Sequence, residues 1–193
     1  MNTATLPDIS SQLLQAKFRK LRATISNHPF TRGMTPEQIA TLADYAMETS
    51  FLPGELIFRE GDTANRFYLI VEGRVALEGK GADGKTILVE DVGPGQALGW
   101  SWLFPPYSWH FTAHALEPTH GIFLYGTWLR EQCDRDPVLG YDLMKRVAAV
   151  CIQRMQAARG LFMNASPLPC SRKAPCHDQT IERKNSNERL ITV

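Results

Sequence analysis

Between residues 50 and 95 the chain is cut into short apolar runs by glycines. Gly54, Gly61, Gly73, Gly81, Gly84, Gly93 and Gly95 punctuate the runs FLPGELIF, RFYLIVEGRVALEG and KTILVEDV. Runs this short and this rich in β-branched and aromatic residues are strands, because a helix needs more residues before its next breaker. Asp83-Gly84 lies between two alternating stretches, 75 to 79 and 86 to 92, and is a tight hairpin signal. A last strand, THGIFLY, ends near Tyr125. Many short strands with regular turns lead to an antiparallel sandwich or roll, here about 50–126.

Helices flank this region. Leu14, Phe18, Leu21 and Ile25 share one face of a predicted helix over 9–26, with Lys17, Arg19, Lys20 and Arg22 among them. Its simplest role is a lid on the domain, and a membrane-surface or partner-binding helix is the alternative. TPEQIATLADYAM, 35 to 47, opens with Thr35 as N-cap, Pro36 at the first position and Gln38 completing a capping box. Ile39, Leu42, Ala43 and Met47 are its expected buried stripe. After the strands, Thr127 is the expected cap of a short helix over 128–135. Asp136-Pro137 then starts a longer one that reaches about Phe162, roughly 39 Å at 1.5 Å per residue. Met144, Ala148, Cys151, Met155, Ala158 and Phe162 follow a heptad-like spacing along it, with Arg146, Arg154 and Arg159 off that seam. The seam packs either on its own domain or on a second copy, and the helix length favours a homodimer.

The chain of 193 residues suits one domain with appendages: 1–27 an amphipathic helix, 28–163 the main domain, and 164–193 a tail without periodicity, expected to be disordered. Cys170, Cys176 and His177 in that tail are too few for a structural zinc site, and no metal or other cofactor is expected. A net charge of +1 provides no global field toward nucleic acid or anionic lipid. No apolar run nears the ~20 residues of a membrane span, no secretory leader is evident, and four scattered cysteines suit a reducing, cytoplasmic setting. No nucleophile–base order, paired carboxylates or phosphate-binding loop of an enzyme is present, so the expected class is non-catalytic.

The segment GPGQALGWSWLFPPYSWHFTAHA, 93 to 115, stands apart. Six of the twelve residues from Trp100 to Phe111 are aromatic. The forty-four residues from 86 to 129 contain neither lysine nor arginine.

The order of elements, together with His28-Pro29-Phe30, Thr35 to Leu42 and the run GELIFREGD…RFYLIVEGRV, resembles the cyclic nucleotide-binding domain of the Crp/Fnr type. The resemblance covers about 28 to 162. It implies an α+β, mainly β fold: an antiparallel jelly roll, or double-stranded β-helix, between N-terminal helices and a long C-terminal helix of the dimerisation type. It also implies a phosphate-binding cassette in which a glutamate binds ribose, an arginine pairs with the cyclic phosphate, and N–H groups at a helix start complete the cradle. Here the cassette maps onto Leu98, Gly99, Trp100, Ser101, Trp102 and Leu103, then Trp109, His110, Phe111 and Thr112. Gly99 keeps the family glycine. Trp100 stands where the glutamate would be, and Trp109 (or Ser108 or His110, one residue either way) where the arginine would be.

A buried anion needs a cation or ample hydrogen bonds, and a helix N-terminus supplies typically 0.3–1 kcal/mol, up to ~2 when partly buried. Arg66 or Arg74 reaching in, or protonation of His110 or His114, would be needed to rescue nucleotide binding. Three readings of the aromatics remain open: a plug filling the nucleotide cavity, an apolar pocket for a different effector, and an exposed partner-binding patch. Ordinary cyclic AMP or cyclic GMP binding stands outside all three. The resemblance would also permit haem on His110, though a hydrogen-bonded histidine is the simpler reading. Family regulators continue into a DNA-reading helix-turn-helix, and the thirty residues of the tail are too few for one, so no sequence-specific DNA binding is expected. The expected function is a sensor or regulatory module that signals through its C-terminal helices to a protein partner.

Overall fold

The computed structural model describes residues 9–81 and 83–165. Helices α1 (Ile9–Asn27) and α2 (Pro36–Ala43) lead into eight strands: β1 (Ala46–Phe51), β2 (Leu56–Phe58), β3 (Arg66–Glu72), β4 (Val75–Lys80), β5 (Thr86–Val92), β6 (Ala97–Leu98), β7 (Thr112–Ala115) and β8 (Thr119–Tyr125). Helices α3 (Gly126–Arg135) and α4 (Pro137–Ala165) follow. The strands form two antiparallel four-stranded sheets, ordered β1-β8-β3-β6 and β2-β7-β4-β5. This is the expected jelly roll with helices before and after it.

β3 shows why the molecule has three layers. Side chains alternate across a strand. Phe67 and Leu69 join a core shared with Leu21, Ile25, Ile39, Leu42, Leu129, Leu139, Leu143 and Val147 of the helices. Tyr68 and Ile70 point the other way, into the roll, with Phe58, Leu77, Leu98, Trp109 and Phe123. The first sheet is therefore covered by helices on one face and by the second sheet on the other.

Local chemistry sets the boundaries. Thr35 accepts from Gln38 N, and Gln38 returns the bond to Thr35 N, so the expected capping box forms. The Asp83-Gly84 hairpin also forms, with Gly84 at φ 76° and Asp83 accepting from Lys85 N. Four expectations shift. Helix α2 ends at Ala43, and Met47 lies in β1, paired with Phe123 and half exposed. Ladder bonds to β8 win there over the helical period. On α1, Leu21 and Ile25 are buried, but Leu14 and Phe18 are exposed, as no described residue covers them. Helix α3 starts at Gly126, one residue before the expected cap Thr127. α4 runs to Ala165, past the expected boundary at 163.

The buried stripe of α4 is Leu139, Leu143 and Val147, packed with Leu129 of α3. The heptad-like seam points elsewhere: Met144, Ala148 and Met155 are exposed and Cys151 is partly covered. The side chains of Ala158 and Phe162, and the tail with Cys170, Cys176 and His177, lie outside the described residues. Among the described residues no helix is long and apolar enough to cross a membrane.

Candidate functional site

β6 is followed by Gly99, whose φ of 86° is the left-handed region. A Cβ there would lie 2.8 Å from Trp109 Cζ3 and 3.3 Å from Arg66 O. Both the backbone and the neighbouring indole therefore require glycine. Residues 100 to 103 then make a single 3-10 turn. It is too short for the helical N-terminal field that the sequence reading allowed the cassette. Trp109 is fixed by its own backbone: its N–H donates to Asp62 O and its carbonyl accepts from Gly61 N, both at 2.9 Å.

The aromatic residues do not gather in one cluster, as a single aromatic cassette would require. Trp109 enters the roll and stacks on Phe58, with ring centroids 3.9 Å apart and planes 13° apart. Trp102 turns to the opposite side, is fully buried, and packs at 5.9 Å against Phe67 in the helix-facing core. Trp100 stays partly exposed and stacks on His110 at 5.1 Å. Ser101 and His110 are linked by Oγ···Nδ1 at 2.9 Å, which occupies one ring nitrogen of the histidine. Phe104 and Tyr107 lie outside on the loop, and the Arg130 guanidinium covers the Tyr107 ring at 4.2 Å. Phe111 and Thr112 are partly buried at the start of β7, and Thr112 Oγ1 accepts from Glu60 N.

The space between these groups is almost closed. The cavity bounded by Phe58, Leu77, Gly99, Trp100, Ser101, Trp109, His110 and Phe111 is about 10 Å³. That is room for about one water, against the roughly 300–1,000 Å³ of small-molecule sites. At this volume it is far smaller than a haem on His110 or a nucleotide would need.

Among the described residues one arginine lines this cavity, and it comes from α4. Arg154 donates from Nη2 to Ala97 O at 2.7 Å, and its Nε lies 2.6 Å from Glu90 Oε2 of β5. Both side chains are less than one-fifth exposed. Burial pushes the Arg154 guanidinium below its usual range, with Glu90 opposing that shift. The two candidates named from sequence stay away. Arg74 pairs with Asp91, and Arg66 sits over the Phe123 ring at 5.0 Å. His114 contacts Glu78 at 3.4 Å on the second sheet and does not line the cavity.

Two more arginines tie the C-terminal helices to the domain. Arg130 of α3 donates to Trp102 O in the cassette turn and to Thr127 Oγ1. Arg146 of α4 donates to Phe30 O at 2.7 Å and Arg32 O at 2.9 Å, and pairs with Asp142 at 3.0 Å. Cassette, entry turn and C-terminal helices are thus joined by charged hydrogen bonds, each of which is worth more than a neutral one.

A family model for the cyclic nucleotide-binding domain matches residues 48–136. A solved protein from Geobacter metallireducens, described as cyclic nucleotide-binding, is 32% identical, with a TM-score of 0.61 over 71% of this chain and 96% of that one. The chain belongs to the cyclic nucleotide-binding domain family.

Within that family it is 25% identical over 117 residues to a CRP-like cAMP-activated global transcriptional regulator of Mycobacterium tuberculosis, covering 61% of this chain and 52% of the relative. It is 30% identical over 129 residues to an acetyltransferase Pat of Mycolicibacterium smegmatis, covering 66% and 37%. The chain thus spans about half, or less, of the length of these curated relatives. What the chain shares with these relatives is the cyclic nucleotide-binding domain. It departs from the cassette pattern by lacking the family's acid and arginine between Gly99 and Thr112.

Sequence reasoning missed Arg154 as a site residue. The signal was present in the spacing. Leu139, Leu143, Val147, Val150 and Arg154 are four, four, three and four apart, so Arg154 continues the buried stripe as a charge. An arginine on an apolar stripe asks for an acid, and Glu90 is that acid.

Proposed function

We propose that this chain is a non-catalytic regulatory module whose cassette is filled by its own side chains, and whose output is the position and pairing of α3 and α4. The carrying observation is the cavity of about 10 Å³ with its cation already paired to Glu90. Expanding that cavity for a cyclic nucleotide would unstack Trp109 from Phe58 and strip Arg154 of its acid. No arginine or lysine lies between 86 and 129, so a phosphate would have to take Arg154 from Glu90. A buried phosphate that must compete with a tethered carboxylate for its one cation is disfavoured.

The output surface is the exposed face of α4. Met144, Ala148 and Met155 form an apolar strip on a helix that continues past the buried stripe, which suits a homodimer seam or a protein partner. Arg130 and Arg154 are the mechanical links from cassette to these helices, because they bond directly to Trp102 O and Ala97 O.

A second reading, cyclic AMP regulation, draws on the name of the mycobacterial relative. Tryptophan fluorescence separates the two, since Trp100 and Trp109 line the cavity. Millimolar cyclic AMP and cyclic GMP are expected to give no saturable change. A saturable shift with either would overturn the filled-cassette reading. Native mass spectrometry of protein purified from cells shows whether an effector of another kind accompanies it.

A further inference from the structure

Two properties of the Arg154–Glu90 contact differ from those of a finished structural ion pair. Nε and Oε2 are 2.6 Å apart, yet neither atom has an aligned hydrogen bond. A guanidinium presents parallel N–H groups that match an oxyanion in a two-bond fork. Glu90 is held by the ladder of β5 against β4 and meets Arg154 off that alignment. Arg154 of this pair also lines the cassette cavity, beside Gly99, Trp100, Ser101, Trp109 and His110. Buried pairs of this kind are often no more stable than apolar groups of the same size, and their best-attested use is to specify a state.

We propose that Glu90 is a tethered anion in the place of a diffusible one, and that a small aromatic carboxylate displaces it from Arg154 and frees the far half of α4 from β5. This rests on, and deepens, the filled-cassette reading. The ligand class follows from the walls. The cation supplies the charge match, and a flat ring could take the place of Trp109 on Phe58, or of His110 on Trp100, once the cavity opens. With about 10 Å³ available, a ring cannot enter while Arg154 holds α4 in place. Ligand entry and helix release are therefore one event, and the ligand's preference for the open form is the driving term. Glu90 sets the threshold, since every external anion must outcompete it.

Benzoate, titrated against chloride at constant ionic strength on the full chain, is the probe. Hydrogen exchange of amides 148–156 and tryptophan emission are the readouts. Benzoate is expected to speed exchange of those amides in the wild type with a saturable emission change. Glu90→Gln is expected to exchange there at least about fivefold faster without ligand and to shift the benzoate midpoint down at least about tenfold. Arg154→Met is expected to show no benzoate response. Should that variant not fold, Arg154→Lys keeps the charge but loses the fork, and its midpoint is expected to rise at least about tenfold. Exchange in Glu90→Gln equal to the wild type, or a benzoate midpoint unchanged in Arg154→Lys, overturns the proposal. A saturable cyclic AMP response would instead overturn the filled-cassette reading beneath it. Silence to both ligands, in wild type and Glu90→Gln alike, overturns the tethered-anion proposal alone.

Discussion

His28 shows how one buried side chain carries a pH dependence. Its Nδ1 accepts from Phe30 N at 3.2 Å and its Nε2 meets Ile70 O at 3.1 Å, so the neutral ring with a proton on Nε2 satisfies both. Burial pushes this imidazole below its usual value near 6.5, and the bond to Ile70 opposes the shift. The folded state therefore binds the proton more weakly than the unfolded chain does. Its contribution to stability is complete above about pH 6.5 and falls as pH drops through 6.5 toward the lower folded value. Urea midpoints at pH 7.5 and 5.5 should show a larger acid loss in the wild type than in His28→Gln. Equal losses in the two proteins would remove His28 from the account.

At the level of elements, α4 has two faces of different character. Leu143 is 1% exposed in the helix-facing core, whereas Met155 is 65% exposed. Leu143→Ala should cost about 2–5 kcal/mol by denaturant titration, the usual range for emptying a core position. Met155→Lys should leave the unfolding midpoint of the dilute protein nearly unchanged, as surface changes do, within about 0.5 kcal/mol. It should also lower the mass seen by light scattering toward the monomer. A wild-type chain that stays strictly monomeric at high concentration would refute the seam. The helix itself was legible from Asp136-Pro137 and its long run without breakers. Its orientation was not, because two stripes of similar spacing compete on it, and only the partner surfaces of α3 and the first sheet select between them.

For the whole molecule, the roll was readable because glycine turns and strand runs act locally. Gly54, Gly61, Gly73 and Gly84 all take positive φ, and each marks a turn that the sequence already signals. The Crp/Fnr-type pattern then pointed to 98–112 as the cassette. What sequence could not show was how the cassette closes. Trp102 and Trp109 are seven residues apart and look equivalent in the sequence, yet they serve different cores on opposite sides of Gly99. Arg154 reaches its acid Glu90 across sixty-four residues of chain, a pairing that only the packing of α4 on β5 creates.

The near absence of free space behind Gly99 also makes this corner of the molecule incompressible. Hydrostatic pressure unfolds proteins by collapsing their internal voids, and the volume gained scales with the void removed. A cavity of about 10 Å³ yields almost nothing. Under compression the roll beside the cassette should therefore hold.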